Sequence, residues 1–421
     1  MLKRVPQAPS LIAVALVVLL SLLASWRFVA FLGLPLSPDD YDLVGWELRH
    51  VANRYLYAVG TLGREDPTVE EENAAIDEYV RLQAEVQGLE SKLTQHPQAD
   101  ADEPADRALL EELEERRRER DRLENEVEAA IERRVSDEIV RLGLQRSLPL
   151  FTDVRWVFPP VDIEFDSPPQ VLVTSPRNEI RLESSRLLSI DLALEDVLEL
   201  EAASEGPNTS ALAVTSGGVA TYPSVIPPMD DYARTLELAA HEWLHQYLFF
   251  QPLGARYFGG TAVRTINETV ADIAGKEIAR LVMENEPVPQ SAAVPGPSPA
   301  SDDSDGGTAS LFFQVMRRLR LDVDRLLAEG RIEEAEALME EKRLYLAEHG
   351  YYVRKINQAY FAFHGLYGTS PASSNPIGPK VARLRQCAPS LGEFVRTVSR
   401  VTSEAGLDRL LAECDGAAIP P

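Results

Sequence analysis

Cysteine is nearly absent, with Cys387 and Cys414 the only two in 421 residues. Two cysteines do not make a disulfide framework, and neither sits in a Cys-x-x-Cys, so a metal would depend on histidine and carboxylate. Histidine is scarce as well, with six in the chain. Basic residues are outnumbered, 42 Lys and Arg against 67 Asp and Glu, for a formal net charge of −25. A phosphate backbone is bound through dense Lys and Arg, so this balance argues against nucleic acid as a partner. It argues equally against adhesion to an anionic membrane surface through basic residues. The apolar share of 45% is enough for a sizeable core, and the length allows two or three domains.

One long apolar run is present, from Leu11 to about Leu34. The unbroken part, Leu11 to Ala24, has signal-peptide length; continued through Trp26, Phe28, Val29, Phe31 and Leu32 it can span a bilayer, with Arg27 snorkelling to the interface. Leu23 occupies the −3 position for a cut after Ser25, so an uncleaved signal anchor is preferred over a cleaved signal peptide. Lys3 and Arg4 before the run, and Asp39 and Asp40 after it, predict a cytoplasmic N-terminus. The expected location is therefore the cell membrane, single-pass, with the remainder extracytoplasmic. That compartment permits a Cys387–Cys414 disulfide.

Five regions follow from the patterning: an anchor in 1–36, a helical region in 37–146, a catalytic domain in 147–285, a Pro/Ser/Asp-rich linker in 286–309 and a helical lobe in 310–421. Tyr41, Trp46, Tyr55 and Tyr57 fall at helix-like spacing after the anchor. Ile76, Tyr79, Val86, Leu89 and Leu93 recur near a 3.5 period, and a second stripe runs from Leu109 to Leu142 after a break at His96–Pro104. This predicts an antiparallel coiled-coil hairpin over about 70–145. It serves either as an arm for a protein partner or self-association, or as a solvated wall or spacer. From Phe151 the period changes to short β-branched and aromatic clusters separated by Pro-Pro pairs. Ala211–Val214, the Gly217-Gly218 turn and Val219–Pro223 predict a strand pair, whose edge either receives an extended peptide or is a plain structural hairpin.

The chemistry is concentrated in Ala239-Ala240-His241-Glu242-Trp243-Leu244-His245-Gln246. On a helix His241 and His245 project from one face and can converge on one ion. Glu242 stands beside that ion without being a ligand, as needed to take a proton from water. A third protein ligand is required, and Asn267-Glu268-Thr269-Val270-Ala271-Asp272 offers Glu268, 23 residues beyond His245. Asp231 can cap the His helix, and Pro252 and Gly254 stop it.

These two motifs resemble those of the gluzincin metallopeptidases, in the thermolysin-like version, over about residues 231–280. The resemblance implies one zinc ion per chain on His241, His245 and Glu268, with Glu242 as general base. It further implies that Asp272 accepts the ring N–H of His241 and that Asn267 orients His245. It implies a peptide or protein substrate. Such an enzyme also needs donors aimed at the oxyanion. The aromatic stretch Tyr351–Tyr367 places Tyr360, His364 and Tyr367 at i, i+4 and i+7, so His364 with Tyr360 or Tyr367 are candidates, and Tyr257 between the zinc motifs is another.

The expected fold is α+β: a zincin-like catalytic domain with a small sheet and an active-site helix, a helical C-terminal lobe closing the cleft, an N-terminal transmembrane helix and the coiled-coil hairpin. The expected function is a membrane-anchored zinc metallopeptidase. The rival is a membrane-anchored coiled-coil interaction protein with a structural or vestigial zinc site, against which the presence of Glu242 counts.

Overall fold

Helical periodicity governs most of the described residues, and the described structure is mostly helical, at 62%. The computed structural model describes residues 37–47, 49–50, 67–95, 104–148, 151–293 and 310–417. Among these no helix is long and apolar enough to cross a membrane; the span expected within 1–36 lies outside them. Among the described residues the expectation of a transmembrane helix finds no support.

The expectation of an α+β class is also corrected. The strands are only three to seven residues long and are dispersed over one three-stranded sheet and two two-stranded pairs. Proline explains this. Pro159-Pro160 and Pro168-Pro169 flank the strand-like stretches and cannot donate to a ladder, so each stretch ends early.

After a short helical stretch at 43–47, three helices follow: α1 (Val69–Gln95), α2 (Pro104–Asp121) and α3 (Glu124–Arg141). The second apolar stripe was expected to be one helix, but it breaks at Arg122-Leu123. Val86 and Leu89 of α1 meet Leu113 of α2 in a small cluster of their own. Ile76 and Tyr79, three turns earlier, instead join Val127, Ile131, Val135 and Ile139 of α3 in the main core. One end of the section is thus hairpin, and the other is a wall of the main body. Arg134, 1% exposed, ties this wall inward by donating to Tyr232 Oη at 2.8 Å and to Glu72 at 3.1 Å.

The strands are β1 (Arg146–Leu148), β2 (Phe151–Trp156), β3 (Ile163–Phe165), β4 (Gln170–Pro176) and β5 (Ser184–Leu187), then, after α4 (Leu194–Ser204), β6 (Thr209–Thr215) and β7 (Ser224–Ile226). The three-stranded sheet is antiparallel, in the order β5-β4-β6, with Val173 opposite Leu212. Its side chains alternate as the pleat requires. Val171, Val173, Leu212 and Val214 face Tyr41, Trp46 and Ala359, while Leu172 and Ala213 face Val197 of α4. The strand expected over Val219–Pro223 does not form. β7 begins just beyond it and pairs in parallel with β3.

Two long helices form the floor of the molecule, α5 (Tyr232–Phe249) and, after the single turn α6 (Pro252–Ala255), α7 (Thr261–Asn285). The start of the predicted linker is docked: Ser291 N donates to Asp77 of α1 at 2.7 Å, and residues 294–309 lie outside the described residues. The C-terminal region was expected as one lobe, but it divides between two cores. Helices α8 (Leu311–Ala328) and α9 (Ile332–Glu348) pack on Phe361 of α10 (Gln358–His364). By contrast α11 (Ile377–Cys387), α12 (Leu391–Val398) and α13 (Glu404–Ala417) join the main core with α5 and α7. A Cys387–Cys414 disulfide links α11 to α13.

Candidate metal centre

Helix α5 starts where Asp231 accepts the backbone N–H of Arg234 at 3.0 Å, a side-chain cap on an otherwise orphan donor. Its core stripe, Leu236, Ala240, Trp243 and Leu244, is buried to within 1% exposure, which fixes the rotation of the helix about its axis. His241 and His245 are thereby turned toward α7. The two helices approach closely at Gly275, where a Cβ would stand 3.1 Å from Glu237 O and 3.2 Å from His241 N. No larger residue permits that approach without displacing backbone.

The approach brings Glu268 to both imidazoles. Glu268 Oε2 lies 3.2 Å from His245 Nε2 and 3.8 Å from His241 Nε2, and the two Nε2 atoms are 3.0 Å apart. Ligands around a tetrahedral ion at about 2.0–2.1 Å stand roughly 3.3 Å from one another, so the three separations bracket the spacing of such a site. Asn267 Oδ1 stands 2.7 Å from His245 Nδ1. An amide oxygen only accepts, so the bond places a ring proton on Nδ1 and turns Nε2 toward the shared point. This His-His-Glu group can hold a metal ion.

The electrostatics follow from burial and pairing. Burial, with His245 as neighbour, pulls His241 down to about 3. Burial opposes protonation of His245 as well, but the Glu268 carboxylate outweighs it and holds His245 up to about 9. Glu268 itself is held well below the usual carboxylate range, because His245 outweighs the cost of its burial. Burial raises Glu242 to about 7, tempered by His245. Proton and cation compete for the same nitrogen and carboxylate here.

The group lines a cavity of about 250 Å³. The floor is α5 and α7, and the opposite side is built from Leu43, Val171, Leu187 and the segment 216–222 that follows β6. Gln246 holds that segment in place, donating to Thr221 O and, at 2.8 Å, to Ser224 Oγ. Gly218 lies directly against the general-base candidate, where a Cβ would come within 2.6 Å of Glu242 Oε1. The sequence pattern marked Gly217-Gly218 only as a turn; the same Cβ would also stand 3.0 Å from the Val225 carbonyl, a backbone contact the pattern does not announce. Glu242 is 5% exposed and makes no hydrogen bond among the described residues.

The remaining predicted residues separate. Tyr257 lines the cavity, and its hydroxyl donates to Glu268 Oε1. Tyr367 also lines it, with its ring centroid 6.1 Å from that of His241. Its phenol is held protonated by burial and by Glu268 and Glu242, and makes no hydrogen bond among the described residues. His364 and Tyr360 are not among the cavity-lining residues; their rings pack on one another, tilted by 45° with centroids 4.3 Å apart. The reason is that α10 ends at His364. Gly365 N closes the last turn on Phe361 O at 2.9 Å, so Tyr367 leaves the helical face it was expected to share. Asp272 does not hold His241. Its carboxylate lies 3.3 Å from Lys276 Nζ and accepts from Thr369 Oγ1, a partner that no local pattern announces.

The chain matches no family model, no curated protein and no solved structure. Function is therefore argued from the site alone.

Proposed function

We propose that this protein is a zinc-dependent hydrolase of the gluzincin type that cleaves peptide bonds. The observation that carries the reading is Glu242. A carboxylate that is 5% exposed and raised to about 7 by its burial is costly to keep charged, and a purely structural metal site has no use for it. Beside three convergent ligand atoms it has a clear use, as the base that takes a proton from water and passes it to the leaving nitrogen.

His241, His245 and Glu268 would hold the ion, which when bound supplies Lewis-acid polarisation of a carbonyl and acidifies water. Asn267 orients His245, and Tyr257 orients Glu268 by donating to the oxygen that faces away from the imidazoles. Tyr367 donates to the oxygen on which negative charge develops. The donor set, nitrogen and carboxylate without thiolate, suits zinc in a catalytic site.

The test is metal analysis combined with cleavage of a peptide library by wild type and Glu242→Gln. One zinc per chain is expected in both proteins, with the variant slower by roughly a hundred- to ten-thousand-fold. A zinc-loaded wild type that cleaves no peptide, or a variant as fast as wild type, rules the reading out.

A further inference from the structure

Helix α5 carries two pairs of side chains spaced by one turn. His241 and His245 meet Glu268 of α7. Glu242 and Gln246, the neighbouring i, i+4 pair, both reach the segment that follows β6. Gln246 donates to Thr221 O and, at 2.8 Å, to Ser224 Oγ. Glu242 meets the same segment at Gly218, where a Cβ would stand 2.6 Å from Oε1 and 3.0 Å from Cδ.

The segment is tied to itself and to the core. Val219 and Val225 exchange two backbone bonds, Val219 N to Val225 O at 3.1 Å and Val225 N to Val219 O at 3.0 Å. Inside this closed loop Thr221 Oγ1 donates to Pro223 O at 2.6 Å. Val225 is fully buried, and its strand β7 pairs with β3. The φ of Gly218 lies outside the left-handed region, so alanine fits the backbone there and only contact opposes it. An added methyl would meet the held Val225 carbonyl at 3.0 Å on one side and the Glu242 carboxylate on the other. The side that can give is the carboxylate, at the end of a flexible side chain.

We propose that the loop 218–225, clamped by Gln246, holds the Glu242 carboxylate at the metal centre, and that position 218 must lack a side chain for this base to be in place. This rests on the hydrolase reading above, in which Glu242 takes the proton from water. Gly218 and Gln246 are positioning residues, since they act through Glu242 rather than on the scissile bond. Clamp and base stand one turn apart on one helix, so a shift of the loop and a misplacement of the base are a single event.

The test measures kcat, KM and zinc content with the best-cleaved member of the peptide library. Gly218→Ala is compared with Gly217→Ala, whose Cβ would meet only Leu238 Cδ2 at 3.9 Å, an ordinary contact. Gly218→Ala is expected to lose about a hundred-fold in kcat, the scale for a reacting group misplaced by about 1 Å, with KM and zinc content unchanged. Gly217→Ala should match wild type. Gln246→Met keeps the side-chain length but cannot donate, and should lose kcat to a lesser degree with zinc content unchanged. An unchanged kcat in Gly218→Ala or Gln246→Met, an equal loss in Gly217→Ala, or a loss confined to KM overturns the proposal.

A second readout needs no turnover, the urea midpoints of the zinc-loaded proteins. Alanine in place of a glycine whose backbone accepts it raises stability through the unfolded chain. For Gly218→Ala that gain is expected to be larger in a Glu242→Ala background, where the opposing carboxylate is gone, than with Glu242 present. Equal shifts in the two backgrounds overturn the proposal, because the two residues then do not press on one another. If wild type hydrolyses no peptide, the hydrolase reading fails by itself. The midpoints then still decide whether Gly218 sets the place of the Glu242 carboxylate.

Discussion

Two helices carry histidines flanked by polar and aromatic residues, α5 with His241 and His245, and α10 with His364. Their fates differ because of what stands opposite. Helix α7 brings a carboxylate and an amide to α5, so His241 and His245 are driven apart in proton affinity, one to about 3 and the other to about 9. The charges that reach α10, Arg320 at Phe361 and Glu336 at Gln358, bear on residues other than His364. His364 packs against Tyr360 with its ring tilted and against Phe363 edge-on, and burial alone lowers it to about 4. Histidine chemistry here is conferred by the partner element rather than by the helix that bears the ring.

The hardest blow to that contrast is removal of the partner. Glu268→Ala is expected to weaken zinc binding by more than the ten- to hundred-fold typical of losing an outer partner of a metal site, as read by competition with a chelator. Full zinc occupancy in this variant would remove Glu268 from the ligand set. Next in size is Tyr367→Phe, expected to lower kcat by about a hundred-fold with zinc content intact, the usual scale for losing one oxyanion donor. Tyr360→Phe serves as the control, because Tyr360 does not line the cavity; equal losses in the two would mean that the α10 ring pair reaches the reacting atoms after all.

A smaller effect concerns His364 itself. Its folded-state pKa lies near 4 against 6.5 for an ordinary imidazole, so between these values the unfolded chain binds more protons than the folded one. Stability is therefore present above about pH 6.5 and declines as pH falls toward 4. Replacing His364 by Phe keeps an aromatic ring in that place and should flatten this decline, measured as the difference in urea midpoint between about pH 7.5 and 5. Activity per folded molecule should not change. An unaltered pH slope would show that His364 is not held neutral by its burial.

How far the sequence reached follows from the range of each cause. The cap at Asp231, the His pair and the stop expected after Phe250, one residue beyond the observed end at Phe249, are local, set by periodicity and by residues within a few positions, and they were legible. Glu268 was legible through its motif, and its helix through its length. The break at Leu123, which turns half of the expected hairpin into a wall, was not, because the apolar stripe continues across it and only packing against α5 decides where each half goes. The end of α10 at His364 was likewise invisible in a stretch whose aromatic spacing continues to Tyr367. The strand content was overstated because alternation marks a strand, whereas a sheet needs neighbours, and paired prolines deny them.

The smallest predicted effect bears on whether α7 serves α5 or the segment after α10. Were Asp272 the partner of His241, losing it would weaken zinc binding by roughly ten- to a hundred-fold. Its observed partners are Lys276, 3.3 Å away on the same helix, and the Thr369 hydroxyl beyond α10. A second bond joins the same pair of segments nearby, from Gly368 N to Thr269 Oγ1 at 3.1 Å. Asp272→Ala should then leave zinc affinity within about three-fold and lower folding stability by about 1 kcal/mol, the net worth of one such hydrogen bond. A double-mutant cycle with Thr369→Val sharpens the assignment, since residues sharing one bond couple while distant ones add. Coupling in stability with none in zinc affinity places Asp272 in the seam that holds Tyr367 over the cavity. Coupling that appears in zinc affinity instead would return Asp272 to the metal site.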